Sequence, residues 1–71
     1  MIKIEIALHN PNKTITLYVK RNEIHHAVYD RLTQYGIDEE RAIECDSWCE
    51  LAANGERYYE DDFDVFICDN E

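Results

Sequence analysis

Hydrophobic and polar residues alternate along the first part of the chain in two runs, 2–8 and 15–19. A period of two places the apolar side chains on one face of a β-strand. The segment 10–13 between the runs contains Pro and Asn, which favour turns. The pattern therefore predicts a β-hairpin. The apolar positions that define it are Ile2, Ile4, Ile6, Leu8, Ile15, Leu17 and Val19.

The period then changes to spacings of three and four, as expected for one face of an amphipathic helix. The residues on this face are Ile24, Val28, Leu32 and Tyr35. Asn22 precedes the pattern and belongs to the residue types that cap helix N-termini. Gly36 follows it and can end the helix in the left-handed conformation. We therefore predict a first helix that begins after Asn22 and ends at Gly36.

A second helix is predicted over about 39–53, with Asp38 as its N-cap and Asn54-Gly55 after its end. A continuous helix places four small residues on one stripe, with Trp48 beside them. These four residues are Ala42, Cys45, Cys49 and Ala52. Residues 47–50 also fit a capping box, in which Ser and Glu each satisfy the other's backbone N–H. A helix that restarts at Ser47 after a kink is therefore the alternative.

Alternation returns at 63–68, where Phe63, Val65 and Ile67 share one face of a predicted strand. The element order ββααβ predicts a single α+β domain over 1–71, in which both helices cover one face of a three-stranded antiparallel sheet. The other face is expected to be largely wet. It would carry Lys3, Glu5, Thr16, Tyr18, Asp64 and Phe66.

Charge is distributed unevenly along the chain, which has a net charge of −9. Residues 1–37 carry a net charge of +2, whereas residues 38–71 carry −11, because thirteen of the sixteen carboxylates lie there. Such a surface repels nucleic acid and attracts basic proteins. We therefore expect no direct nucleic-acid binding and favour a basic protein as the partner.

Membrane insertion and secretion are not indicated by the sequence. No apolar run reaches the roughly 18 residues of a membrane span, and no leader segment is present. Three cysteines, an odd number, argue against a complete disulfide framework and favour reduced thiols. A cytoplasmic protein with no membrane association is the expectation.

Metal binding and catalysis find little support in the spacing of reactive residues. Cys45 and Cys49 are one helical turn apart, but zinc sites usually need a matching second pair. His25 and His26 are adjacent and point in different directions on a helix. No motif places a nucleophile beside a base, and there is no glycine-rich phosphate loop. We predict no enzyme activity, no metal and no cofactor; a thiol or metal sensor is the weaker alternative.

The segment 56–64 has the strongest functional signal, with five carboxylates, one arginine and three aromatic rings. A helix end and a strand hold it at both ends. Carboxylates alone are typical of a solvated surface, but Tyr and Trp anchor protein interfaces. Carboxylates beside rings suit an arginine-rich groove, because guanidinium pairs with the first and stacks on the second. The predicted partner-binding residues are Glu44, Asp46, Glu50, Glu56, Tyr58, Tyr59, Glu60, Asp61, Asp62 and Asp64.

Residues 47–68 resemble small acidic phage and mobile-element proteins, among them anti-CRISPR and antirestriction proteins. The residues that carry the resemblance are Trp48, Glu50, Ala52, Gly55, Glu56 and Tyr58. It implies an inhibitor that acts as a DNA mimic on the basic DNA-binding and motif-reading surface of a CRISPR effector complex in an infected bacterial host. The alternatives are a phage or host regulatory module that binds another basic partner, and a self-associating structural protein. A monomer or weak dimer is expected.

Overall fold

Four strands and two α-helices make up the computed structural model, which describes residues 1–9 and 12–69. The strands are β1 (Ile2–His9), β2 (Asn12–Val19), β3 (Arg57–Tyr59) and β4 (Phe63–Asp69), and the helices are α1 (Ala27–Gln34) and α2 (Glu39–Leu51). A single turn of 3-10 helix, Arg21–Glu23, precedes α1. The predicted hairpin is confirmed, although residues 10 and 11 of its turn lie outside the described residues.

The sheet is antiparallel throughout, with the strand order β2-β1-β4-β3. Ile4 lies opposite Leu17 in β2 and opposite Ile67 in β4, so the predicted inward-facing rows are in register. Alternating burial along β1 and β4 leaves only one face of the sheet in the core, and the helices cover that face. The predicted α+β class and the helical cover are therefore confirmed.

The prediction of three strands was wrong, because residues 57–59 form a fourth. Arg57 lies opposite Phe66 and Tyr59 lies opposite Asp64. A hydrogen bond from Glu60 N to Phe63 O (2.9 Å) closes the turn between β3 and β4. Three residues are too few to show a period of two, and the flanking acids are depleted in strands. The acidic segment is consequently one arm and the turn of a β-hairpin.

The start of the first helix was also predicted wrongly. Asn22 lies in the 3-10 turn, and α1 begins at Ala27 after His26, whose backbone has a φ of +67°. Ile24 nevertheless enters the core, fully buried, from the segment before the helix. The side chain of His26 makes no capping hydrogen bond, so the N-terminus of α1 depends on a group from elsewhere in the chain.

The end of α1 agrees with the prediction. Gly36 has a φ of +92° and donates its N–H to Thr33 O at 3.1 Å. Ile37 N donates to Leu32 O, also at 3.1 Å. These two bonds form a Schellman motif, which satisfies carbonyls at the helix end and needs a residue with a positive φ.

Helix α2 is continuous from Glu39 to Leu51, so the predicted alternative of a restart at Ser47 is wrong. Asp38 is the N-cap as predicted, and its carboxylate accepts the N–H of Arg41 at 3.3 Å. The helix ends two residues before the predicted boundary, because Ala52 is already extended and turns its side chain into the core. Gly55, with a φ of +88°, then directs the chain into β3.

One hydrophobic core joins the two layers, and Phe63 is the largest side chain fully buried in it. The predicted stripe of small residues on α2 is buried, as are the inward rows of β1 and β4. On the opposite face Thr16 and Tyr18 are exposed, while the other predicted residues of that face are partly buried. The sheet therefore presents a broad uncovered face to solvent.

Candidate interaction surface

Asp46 is one of the predicted partner-binding residues, and the structure removes it from the surface. Its side chain lies in the core, and the residue is 1% exposed. The carboxylate accepts backbone N–H groups of His26 (3.3 Å), Val28 (3.1 Å) and Tyr29 (3.0 Å). These are N–H groups at the first turn of α1, which have no partner within their own helix. Asp46 is therefore a helix cap supplied from α2, and it cannot contact a partner.

The sequence analysis did not identify this cap, because a helix N-cap is expected among the residues just before the helix. The available signal is the position of Asp46 within α2. It lies between Cys45 and Cys49, which belong to the buried stripe, so a carboxylate there requires a hydrogen-bonding partner in the interior. The capping bonds join α1 to α2 and hold the cover of the sheet together.

Arg41 in α2 holds the turn between β3 and β4. Its guanidinium bonds to Glu60 Oε1 at 3.3 Å, to Asp62 Oδ1, and to the helix cap Asp38 at 3.4 Å. It also lies 5.6 Å from the centre of the Phe63 ring. The hydrogen bond between Arg41 and Asp62 raises the pKa of Arg41 and lowers the pKa of the Asp62 carboxyl. The acidic turn is thereby attached to a helix and has a defined position.

Two aromatic rings lie beside this turn. The ring centres of Trp48 and Tyr58 are 5.2 Å apart, and Tyr58 stacks on Phe63 at 6.4 Å. Burial is the main cause of a raised pKa at the Tyr58 hydroxyl, and the negative charges of Glu60 and Glu44 add to it.

We call this region the α2–β3 surface. It consists of Glu44, Trp48, Tyr58, Glu60, Asp61 and Asp62. Five of the ten predicted partner-binding residues belong to it, together with Trp48. Its acids come from a helix and from a hairpin turn that Arg41 joins. Carboxylates and half-buried aromatic rings are therefore combined on one supported surface.

Asp64 and Tyr59 lie on a different surface, the uncovered face of the sheet. Asp64 accepts a hydrogen bond from Arg57 at 2.9 Å and lies 3.1 Å from His9 Nε2, and its side chain is only 16% exposed. Arg57 also covers the ring of Phe66 at 4.7 Å. The Asp64 charge is therefore largely compensated inside the protein. Tyr59 remains 74% exposed.

The hydrogen bond to Asp64 raises the pKa of the His9 imidazole, with a further contribution from the Asp61 carbonyl at 3.2 Å. A raised pKa means that folding stabilises the protonated imidazolium relative to an unperturbed histidine. His9 therefore joins the end of β1 to the β3–β4 hairpin most strongly when it carries a proton.

The last two predicted residues, Glu50 and Glu56, make hydrogen bonds within the protein, with residues outside the α2–β3 surface. The backbone carbonyl of Glu50 accepts a hydrogen bond from Arg21 at 3.0 Å, and its carboxylate is 4.0 Å from His25 Nδ1. Glu56 accepts the N–H of Ala53 at 2.7 Å in the turn that follows α2. A single acidic track through all ten residues is therefore not formed.

The cysteines do not converge. Cys45 and Cys49 are buried in the core, whereas Cys68 is half-buried and belongs to the residues of β4 that face away from the helices. A hydrogen bond with Cys49 and burial raise the pKa of the Cys45 thiol, which makes it a poor nucleophile. No group of three or more metal-ligating side chains is brought together within residues 1–9 and 12–69.

Two open clefts lie away from the α2–β3 surface. One has a volume of about 440 Å³ and lies between the helices, lined by His26, Tyr29, Glu39, Glu40 and Ile43. The other, of about 470 Å³, lies at one end of the sheet, lined by Met1, Ile2, Lys20, Arg21 and Asp69. Neither is lined by a cysteine or a serine.

Within the described part of the chain, no helix is long and apolar enough to cross a membrane. Comparisons with protein-family models, with curated proteins and with solved structures found no significant match.

Proposed function

We propose that this protein is a non-enzymatic inhibitor that uses the α2–β3 surface to occupy the basic surface of a nucleic-acid-binding protein. The observation that carries the proposal is the attachment of the acidic turn to α2 through Arg41, next to the rings of Trp48 and Tyr58. A carboxylate that is already positioned loses less conformational entropy when it pairs with an arginine.

The charges on this surface are not all used within the protein. Glu60 and Asp62 share Arg41, whereas Glu44 and Asp61 are exposed and make no ion pair with any described residue. Arg41 keeps one charge against three nearby acids, Asp38 included, so the surface stays negative. Such a surface attracts a basic partner and accelerates association with it.

The aromatic rings supply the second half of the recognition chemistry. Trp48 and Tyr58 are half-buried, which fixes their orientation and leaves part of each ring accessible. An arginine side chain can stack on such a ring while its N–H groups pair with a neighbouring carboxylate. A groove that normally holds phosphates is rich in arginine and lysine and meets both requirements.

The specific target that we propose is the basic DNA-binding surface of a CRISPR effector complex, in the cytoplasm of an infected bacterial host. This part of the proposal comes from the resemblance of residues 47–68 to anti-CRISPR proteins. The mimic would compete with the target duplex for the channel that reads the short motif beside the target.

A competition assay with a purified CRISPR effector complex and a fluorescent target duplex tests the proposal. The parent protein should displace the duplex, and the double variant E44Q/D61N should do so about tenfold less well, because each exposed ion pair contributes up to about 1 kcal/mol. Both residues are exposed, so the fold should be kept.

The matched control is E23Q/D30N, which removes the same two charges from the opposite, less acidic half of the chain. It should compete like the parent. Equal losses in the two double variants would show that net charge alone matters, and the α2–β3 surface would then not be the binding site.

A further inference from the structure

Among residues 1–9 and 12–69, strand β2 pairs with β1 alone and is therefore an edge of the sheet. It is eight residues long, which is above the common length of strands in globular proteins. An edge strand of this kind presents backbone N–H and C=O groups on which a further strand can pair.

The hydrogen bonds of the sheet determine which groups of β2 point outward. His9 N donates to Asp62 O at 3.0 Å, so the backbone of His9 faces β4. The direction of the backbone N–H and C=O groups alternates from one residue to the next along an antiparallel strand. The backbone groups of Leu8 therefore point toward β2, where Leu8 pairs with Lys13. By the same alternation, Thr14, Thr16 and Tyr18 direct their N–H and C=O groups away from the sheet.

Strand β2 has few of the usual protections of an edge strand. Lys13 is its only charged residue, it contains no proline, and its pairing with β1 is unbroken from one end to the other. The opposite edge is different, because β3 has three residues and is followed directly by Glu60 and two aspartates. Short length and charge protect β3, whereas β2 stays available.

The charge distribution restricts how two copies of this chain can approach each other. Two copies of a protein with a net charge of −9 repel each other through most orientations. Strand β2 contains no acid, and Lys3 and Lys20 lie near the end that carries Val19. The β2 edge is thus where two copies can approach with their acidic halves farthest apart.

We infer that two copies of this chain associate by antiparallel pairing of their β2 edges, centred on Thr16. In this register Thr16 of one copy faces Thr16 of the other, and Thr14 faces Tyr18. Both are favourable cross-strand pairs on the uncovered face, where Tyr18 is 63% exposed. About six backbone hydrogen bonds form, since each hydrogen-bonded pair contributes two.

The product is one sheet of eight strands with an α2–β3 surface at each far end. The interface is small, so the dimer should be weak, with a Kd of about 100 µM. This association uses the β2 edge, at the other side of the sheet from β3, and does not depend on what the α2–β3 surface binds.

Sedimentation velocity of the full chain from about 5 µM to 1 mM tests the inference. The parent should change from monomer to dimer over this range. The variant T16P should remain a monomer, because proline removes an outward N–H that β1 does not use. The variant T16K should also remain monomeric, since it places a charge in the centre of the new pairing.

The control Q34K adds the same charge on an exposed position of α1 and should dimerise like the parent. Circular dichroism verifies that each variant is folded, and T16K decides the result if T16P does not fold. A parent that stays monomeric up to 1 mM overturns the inference and leaves the edge to a strand of another protein. Dimerisation of T16K equal to that of Q34K also overturns it.

Discussion

The two edges of the sheet differ in what they present to solvent. At the β3 edge the strand has three residues, and the acidic turn beside it is attached to α2 by Arg41. At the β2 edge the strand has eight residues, one charge, and backbone groups that face solvent. Side chains dominate the first edge and the main chain dominates the second. The acidic edge therefore fits the basic groove that we propose for it, and the β2 edge, which contains no acid, fits the strand pairing that we infer.

Internal partners of the acidic side chains explain how a small protein tolerates concentrated negative charge. Asp46 is used as an internal cap, Asp64 is held between Arg57 and His9, and Asp62 is paired with Arg41. Each of these acids supports the structure as well as charging it. Glu44 and Asp61 are exposed and make no ion pair with a described residue, so they are available to the partner that we propose.

We expect the largest effect from D46N, which weakens the contact between α1 and α2, the two helices that cover the sheet. The variant replaces a buried carboxylate that accepts three backbone N–H groups. Charge-assisted hydrogen bonds contribute about 1.5–3 kcal/mol each, and an amide retains part of this, so the free energy of unfolding should fall by about 3 kcal/mol. Urea denaturation followed by circular dichroism measures it.

The control for this variant is D30N, which makes the same chemical change at an exposed position in the first turn of α1. Its effect should be about 0.5 kcal/mol, the size of an interaction with the helix dipole. If D46N costs no more than D30N, the assignment of Asp46 as the cap of α1 is wrong.

The second prediction breaks only the acidic edge. R41Q removes the guanidinium that joins Glu60 and Asp62 to α2. The free energy of unfolding should fall by about 1 kcal/mol, as for one networked surface pair, and amide exchange should accelerate at 60–62 while β2 is unchanged. R31Q, at an exposed position in the last turn of α1, is the matched control: it should lower the free energy of unfolding by no more than about 0.5 kcal/mol, the size of a helix-dipole interaction, and should leave amide exchange at 60–62 at the parent rate.

The pH dependence of this contact has a definite sign. Pairing with Arg41 lowers the folded-state pKa of Asp62, so its stabilising contribution is present above the unfolded pKa of about 4 and is lost as the pH falls through the folded value. In R41Q this part of the acid destabilisation should disappear. An unchanged acid profile in R41Q would argue against the pairing.

The third prediction concerns His9, which connects β1 to the β3–β4 hairpin. Its folded-state pKa should exceed 6.5 because of the hydrogen bond to Asp64. The stabilising contribution is therefore full below about pH 6.5 and is lost as the pH rises through the folded pKa. An NMR titration of the imidazole measures the value, and D64N should return it toward 6.5. A His9 pKa that D64N leaves in place would contradict this.

The smallest effect distinguishes the buried thiols from the half-buried one. Cys68 should react with a thiol reagent in the native protein, whereas Cys45 and Cys49 should react only after unfolding. C68S is the control and should abolish the native reaction without changing stability by more than about 0.5 kcal/mol. Fast labelling of Cys45 in the folded state would show that the core between α2 and the sheet opens readily.

Much of this fold is predictable from local patterns. The inward-facing rows that contain Ile4 and Phe63 repeat every two residues, and the buried stripe that contains Cys45 repeats at the spacing of a helix. Each of these periods is compatible with only one pattern of buried and exposed residues. Gly36 identifies the end of α1 because few other residues adopt its backbone conformation. These features depend on neighbours within a few residues, and a single sequence contains that information.

The features that were missed depend on contacts between distant residues. Asp46 caps a helix about twenty positions earlier, and β3 exists because β4 offers it a free edge. The candidate surface was half predictable for the same reason. The acids at 60–62 were found from composition, but their attachment to Arg41 and the separation of Asp64 from them arise from the folded arrangement.

We propose that the α2–β3 surface binds a basic nucleic-acid-binding protein through positioned charges. The most direct measurement is the Kd for a CRISPR effector complex between 50 and 300 mM salt, for the parent and for E44Q/D61N. The parent Kd should rise steeply with salt, and the variant should show a weaker affinity and a shallower slope, because two of the charges are missing. Parent and variant Kd values that coincide at every salt concentration would contradict the claim.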